Sequence, residues 1–486
     1  MRWARVVAVG LLLASTAAAV LQGTAGAAAV PQAAVATSTT LTASATSVTQ
    51  DSWVTFTAQV SASSGTASGS VTFTDVSNGS VLDTAALSSG TAGFTTAALA
   101  VGARSIVATY SGNSAFSPSS SAAVGVTVAA AGSSAVAYQE DASHDGRQPR
   151  GTLSAGSLVK KWSRAMPGAA PGTNSVSYAV IAHGRVFVTV QETGTHLYAL
   201  NASTGATDWS VNLGGSLGFG TPAYDGRRVF AVNYDGVVTA FVASTGYELW
   251  TTDLAGAVTA PPTAYDGVLY ISGDAGEMYA ISEADGRILW FEPVLNGGLS
   301  SPAVDSTGAY VSYTSQQDYR FSLGGQLVWH YAGCCESSGG SAPVLHGSYV
   351  YARGDLDPPL ILAKSTGAVV GTFASIAAPA FDSTNMYTLY GGNLVAVAPS
   401  GSPNRWTFKN GSLVTAPVVS NGVVYIGSSS GKVYGVSASS GAKVWSGTAG
   451  TFIAGPDYDI GLESGLAIGG GLLVVPAGNV LTAFGD

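Results

Sequence analysis

The feature that most constrains this chain is a spacing: a glycine followed four residues later by a tryptophan, at Gly205 and Trp209, Gly246 and Trp250, Gly286 and Trp290, Gly325 and Trp329, and Gly441 and Trp445. A return of about 40 residues marks stacked supersecondary units, none of which buries its apolar face alone. The clear copies share one grammar. A Pro-Ala or Pro-Val start leads to an Asp- or Gly-containing turn, two short strands, the Gly and the Trp, as in Val229-Phe230-Ala231-Val232 to Trp250 and Val423-Val424-Tyr425-Ile426 to Trp445. Glycine admits a close neighbour and tryptophan supplies a large flat apolar surface, so the pair reads as a structural girdle between units.

Eight inner two-strand units begin near Val186, Val229, Val268, Tyr310, Tyr349, Met386, Val424 and Leu473. Two copies are imperfect: Gly371 takes the Trp position after Thr366-Gly367, and Trp406 comes one residue late after Gly401. The last unit runs out at Asp486 without its Gly-to-Trp strand, while an unmatched strand ending in Trp162 stands at the front of the region. A ring in which this N-terminal strand completes the final blade leaves no open sheet edge. The expected fold of residues 151–486 is therefore an eight-bladed β-propeller closed by an N-terminal strand, in an all-β chain.

Residues 39–129 read differently. Runs such as Val54-Thr55-Phe56-Thr57 and Ser105-Ile106-Val107-Ala108-Thr109-Tyr110 alternate apolar and polar residues between Gly/Ser/Asn turns, the pattern of a β-sandwich. Trp53 and Phe73 are its expected core anchors, and with no Cys in the segment it must hold by packing. Residues 28–38 and 130–150 read as linkers. Residues 1–27 read as a signal peptide: Arg2 and Arg5, the apolar Val6 to Leu13, then the small exit Ala25-Gly26-Ala27. The expectation is an exported, secreted or envelope protein with no membrane span in the mature chain.

Only 10% of residues are charged and the net charge is −9. The field repels a polyanion, and Lys160-Lys161 is the only Lys-Lys pair, which argues against nucleic-acid binding. The five histidines have no zinc spacing, and no Gly-x-Ser-x-Gly elbow or phosphate loop is present. The two cysteines are adjacent, Cys334 and Cys335. Their Cα atoms lie about 3.8 Å apart, closer than an ordinary disulfide prefers. Export to an oxidising compartment favours a vicinal disulfide, with two thiols or an intermolecular bridge as alternatives.

Two resemblances follow. Tyr110-Ser111-Gly112-Asn113-Ser114-Ala115-Phe116 resembles the ending of bacterial immunoglobulin-like repeat domains, which implies a spacer or adhesion module. The propeller repeat resembles that of PQQ (pyrroloquinoline quinone) quinoproteins, whose docking motif is Ala-x-Asp-x-x-Thr-Gly-x-x-x-Trp; Ala199, Asn201, Thr204, Gly205 and Trp209 follow it with Asn for Asp. Ala280, Gly286 and Trp290 also follow it, with Asp285 in the Thr place. Quinoprotein alcohol dehydrogenases carry an adjacent Cys pair over the quinone, so the resemblance implies PQQ and calcium, with Cys334 and Cys335 as cofactor-binding residues. Against this, the segments expected at the channel mouth, Leu217 to Gly220, Ala257 to Ala260, Leu299-Ser300 and Leu413 to Thr415, carry no cation ligands. Glu336, Asp457, Asp459 and Glu463 are the only acidic candidates. The same repeat also builds non-catalytic scaffolds. The preferred expectation is accordingly a secreted non-catalytic binding or scaffold protein with no cofactor or catalytic residue, whose propeller face meets an extracellular protein or glycan. The alternative is a PQQ- and calcium-dependent dehydrogenase.

Overall fold

The computed structural model of the chain describes residues 33–49, 53–96, 99–129, 133–149, 153–154, 156–167, 175–192, 194–215, 220–258, 260–298, 300–333, 340–354, 358–456 and 465–486. The expected signal peptide lies outside the described residues. Among those residues no helix is long and apolar enough to cross a membrane. The chain forms two compact units.

In the first unit, Thr37–Ala43, Val54–Ala62 and Thr91–Thr96 form one sheet. The other contains Ser47–Thr49, Val124–Ala129, Gly102–Tyr110, Ser70–Asp75 and Ser80–Ala86, with Ser119–Ser120 beside Gly102–Tyr110. Alternation decides the core: Val54, Phe56, Ala58 and Val60 point inward and their neighbours outward. Phe73 is fully buried, but Trp53 is 60% exposed. Its place immediately before Val54 puts it out of phase with the inward residues, so the expected Trp53 anchor is replaced by Phe56, Phe73 and Tyr110. The closing motif is a turn device. Asn113 accepts from the backbone N–H of Ala115 and Phe116 at 2.8 and 3.0 Å, and both its Nδ2 and the Tyr110 hydroxyl donate to the Ser68 carbonyl.

The second unit contains eight four-stranded antiparallel sheets among the described residues. The first blade runs outward through Val180–Ala182, Arg185–Gln191, Thr195–Asn201 and Thr207–Gly214. Six more follow in the same order. The eighth takes Ala467–Gly469, Leu472–Ala477 and Val480–Gly485 from the C-terminus and its outermost strand, Val159–Ala165, from the start of the unit. Trp162 there pairs with Ala483. The innermost strands of the eighth and first blades touch, closing the ring. Asp486 clasps the seam, its carboxylate accepting from the Ser154 N–H and Oγ and from Ser157 Oγ, while Lys161 Nζ donates to its carbonyl.

Six of the eight seams are built by a tryptophan of one blade and a glycine of the next. Trp162, Trp209, Trp250, Trp290, Trp329 and Trp406 lie over Gly205, Gly246, Gly286, Gly325, Gly367 and Gly441, where a Cβ would come within 2.6 to 2.8 Å of the indole. These glycines all have φ between 70° and 89°, a second reason for the residue type. Each indole Nε1 also donates across the seam, for example to Ala202, Ala243, Glu283 and Lys364 carbonyls at 2.7 to 3.0 Å. Within its own blade each of these Trp residues except Trp329, which lies opposite Arg320, faces an alanine, as in Ala199 opposite Trp209 and Ala280 opposite Trp290. The small residue of the repeat is thus the floor on which the Trp lies.

The irregular copies have local causes. Trp406 sits opposite Ala396 in the common register, the extra residue being absorbed before Asn404. At the seam that lacks a Trp, Gly371 faces Ile361, and Gly401 comes so close to the Thr372 carbonyl that a Cβ would lie 2.1 Å from it. Tyr351 bridges this seam, its hydroxyl donating to the Pro399 carbonyl at 2.9 Å. At the seam between the seventh and eighth blades Trp445 packs edge-on against Phe484 at 5.1 Å and donates to the Leu158 carbonyl at 2.8 Å.

Gly246→Ala and Gly267→Ala separate the two demands on glycine. Both positions have positive φ, 72° and 81°, but only the first meets a ring, that of Trp209 at 2.8 Å, whereas nothing lies within 4 Å of the second. Gly267→Ala is expected to cost about 1–2 kcal/mol from backbone strain. Gly246→Ala adds about 1–3 kcal/mol of overpacking. Chemical denaturation of the propeller transition measures the difference, and equal losses would refute the ring contact.

Candidate functional site

The inner strands of a propeller turn one edge toward the axis, and the N–H and C=O groups on that edge need partners if the hole is narrow. Here they find them in residues 133–149. Ala135 exchanges both backbone bonds with Ile181 of the first blade, at 2.9 and 2.7 Å. The carbonyls of Val136, Ala142, Ser143, Asp145, Gly146 and Ser133 accept from Tyr224, Val304, Leu345, Phe381, Val419 and Gly470, which belong to six further blades. The remaining blade is met by a side chain, His144 Nε2 lying 3.3 Å from Thr263 Oγ1. The stretch expected as a linker is thus an axial segment bonded to every blade. Gly146 is required within it, because a Cβ there would stand 2.7 Å from that of Ala380.

Its side chains fill the axis. Gln139 is fully buried and donates to the Ala378 and Pro417 carbonyls. Glu140 accepts from the Ile468 N–H at 2.7 Å and from Gln148 Nε2 at 3.1 Å, and burial pushes its carboxyl well above the usual range. Tyr138 stands edge-on between Tyr178 and His144, with centroids 5.3 and 5.6 Å away. The His144 ring is fully buried with Nδ1 3.2 Å from the Pro343 carbonyl, so Nδ1–H donates there and Nε2 accepts from Thr263. Burial lowers its pKa to about 3, and the ring is neutral. A hydroxyl beside an imidazole is the start of a nucleophilic triad. Here, however, Nδ1 is committed to a backbone carbonyl and Thr263 is fully buried, so the pair is structural. Polar and aromatic residues clustered at 138–148 were the sequence signal for this segment, obscured by its Ser/Ala-rich surroundings.

The channel-mouth residues also differ from expectation. Gly220, Val258, Ala260, Ser300, Leu413 and Thr415 are buried, while Ala257 and Val414 are half-buried. Ser300 and Thr415 accept from the backbone N–H of Ser312 and Gly427, each twelve residues on, a repeated hydroxyl cap of the second strand. Cys334, Cys335, Glu336, Asp457, Asp459 and Glu463 lie outside the described residues, as do Leu217 to Phe219, Thr259 and Leu299. Among the described residues no group of three or more His, Cys, Asp or Glu is arranged to hold a metal ion. An axis occupied by Tyr138, Gln139, Glu140 and His144 does not fit a planar quinone with a calcium ion, so no chemical step is derived through either.

One face does offer a recess. A cleft of about 790 Å³ lies between the axial segment and the turns joining the first and second strands of the first four blades. Its rims are two-residue hairpin turns with both residues at positive φ: His183 and Gly184 at 50° and 74°, Gly226 and Arg227 at 49° and 68°, and Asp266 and Gly267 at 51° and 81°. In the middle turn Arg227 occupies the position that Gly184 and Gly267 hold in its neighbours. His183 lies against Tyr224 at 5.5 Å, and Asp305 is held by Lys364 Nζ at 2.6 Å.

The buried imidazole makes a pH prediction whose sign follows from linkage. The unfolded chain protonates His144 near its ordinary value of about 6.5, and the folded ring only near 3. Acidification between those values therefore removes stability through His144. Asp141, raised to about 6 by burial and by Asp145, acts oppositely, since the folded state keeps its proton where the unfolded state has lost it. His144→Gln should cost about 1–3 kcal/mol at pH 7.5, and the gap to the parent should narrow as pH falls to about 4.5. Thermal midpoints across that range test it, and a constant gap would refute the buried neutral ring.

Comparison with known proteins places this geometry. Residues 41–129 match the bacterial Ig-like domain (group 3) family, and residues 151–253, 234–370 and 360–484 match the family described as outer membrane protein assembly factor BamB. No curated protein sequence matches significantly. Among solved structures, BamB from Moraxella catarrhalis is 15% identical with a TM-score of 0.52, covering 68% of this chain and 100% of its own. Quinohemoprotein alcohol dehydrogenase from Comamonas testosteroni is 13% identical with a TM-score of 0.58, covering 73% and 80%. The computationally designed Ika8 protein is 13% identical with a TM-score of 0.56, covering 66% and 100%. At these identities the likeness establishes the fold. The chain is an all-β protein that joins a bacterial Ig-like domain to a PQQ-like propeller, and by the match over residues 151–484 it belongs to the BamB family of such propellers.

Proposed function

We propose that this chain is an exported, non-catalytic recognition or scaffold protein, in which the propeller presents a rigid face to an extracellular protein or glycan and the Ig-like domain serves as a spacer. The observation that carries the reading is the axial segment. Residues 133–149 run along the axis and bond to every blade, which suits a rigid display platform better than a reaction chamber. Membership in a family described as an outer membrane assembly factor agrees with a scaffold role in the envelope. The signal-peptide pattern of residues 1–27 supports export.

A second reading, a PQQ- and calcium-dependent dehydrogenase with Cys334 and Cys335 over the quinone, draws on the adjacent cysteines and the fold likeness to a quinohemoprotein alcohol dehydrogenase. Reconstitution separates the two. After incubation with PQQ and calcium and removal of excess, the protein is expected to retain no quinone absorbance and to reduce no dye with alcohols or sugars. Stoichiometric retention would replace the recognition reading with the dehydrogenase.

A further inference from the structure

We infer that the cleft beside the axial segment is a binding site for neutral oligosaccharides, a deepening that rests on the recognition reading above. Its chemistry is mixed. Glu140, Asp141, Asp225, Asp266 and Asp305 line it together with Arg147 and Arg227, Glu140 being buried and bonded to Ile468 and Gln148 and Asp305 being held by Lys364. A polyanion would meet the carboxylates and a polycation would meet the guanidinium groups, each at a desolvation cost. A sugar hydroxyl both donates and accepts, so it uses both kinds of group without carrying a charge into the cleft. Among the described residues the side chains of Arg147 and Asp266 form no hydrogen bond with the protein, which leaves both available to a ligand.

The cleft also has an apolar wall. Tyr265 is half-buried, its ring backed by the core that includes Tyr270 and Val304, and its outer side faces the recess. A pyranose ring has an apolar C–H face that such an aromatic surface covers. The walls are pre-set. Tight hairpin turns hold the rim, and Gln148 is fixed by the carbonyls of Ser134 and Ile468 and by Glu140 Oε2 at 2.9, 3.0 and 3.1 Å. Arg227 keeps a left-handed conformation at φ 68°, where the neighbouring turns carry glycine, and it lines the cleft. His183 and Asp266 are likewise non-glycine residues at positive φ, 50° and 51°, so one such residue stiffens each of the three rim turns. A volume of about 790 Å³ accommodates a short oligosaccharide, within the roughly 300–1,000 Å³ of ordinary ligand sites.

The test is calorimetric titration of the chain lacking residues 1–27 with cellotetraose, xylotetraose, maltotetraose and the chitin tetramer, and with tetralysine as the competing chemistry. At least one tetrasaccharide is expected to bind, and to keep its affinity in about 0.5 M NaCl, where exposed ion pairs are screened. Tyr265→Ala and Asp266→Ala should each weaken it about ten-fold or more, while Tyr265→Phe and Asp266→Asn stay within about three-fold. Unchanged thermal midpoints show that the variants fold. The inference is overturned if no tetrasaccharide binds, if binding ignores these variants, or if tetralysine alone binds and salt abolishes it. Loss of this inference leaves the recognition reading standing, because only retained quinone removes that one.

Discussion

The whole ring depends on one contact, an indole laid on the backbone of a glycine in the next blade. A four-stranded blade buries its faces only against its neighbours, so the seam is where the fold is made stable or lost. Trp209 over Gly246 shows the requirements together: a flat ring, a missing Cβ, a left-handed turn, a small residue behind the ring at Ala199, and an Nε1–H directed at the Ala243 carbonyl. The indole bond leaves neither its donor nor the buried carbonyl unsatisfied, which matters more than its net contribution of about 0.5–1.5 kcal/mol. Where one requirement lapses, another contact takes the place. Tyr351 reaches across to Pro399 at the seam without Trp, and Phe484 and Leu158 receive Trp445 where the chain ends meet.

Closing the ring creates a second demand. Eight inner strands surround an axis, and their inward edges carry backbone groups that require partners. The axial segment meets that demand with carbonyls spaced along a winding path, held by left-handed turns at Gln139, Glu140 and His144. This arrangement shapes the chemistry available. Groups that elsewhere serve as catalysts, an imidazole beside a hydroxyl and a buried carboxyl, are here bonded to backbone and side-chain partners and buried. These buried groups hold the segment in place, and the polar groups of the cleft lie beside it, among the hairpin turns.

Much of this was legible in the sequence, for reasons specific to repeats. The Gly-to-Trp spacing recurs because every seam poses the same steric problem, so the eight units and the closing strand at Trp162 could be counted before any contact was known. The first domain was legible as alternation. Trp53 shows the limit of that reading: residue type pointed inward, but phase relative to Val54 turned it outward. The candidate cleft was not legible. Its walls come from the axial segment and from turns of four different blades, and no spacing in the chain relates Arg147 to Tyr265.

By itself the sequence determined the class of fold, the repeat, the side chains at the seams and the way the ring closes, because each is set by local steric rules repeated at a fixed period. Only the tertiary structure decided what fills the axis, where the linker-like residues 133–149 go, and which turns share a cleft. Those outcomes depend on groups far apart in the chain, brought to one axis by the closed ring, where unpaired backbone edges select a partner by geometry and not by pattern.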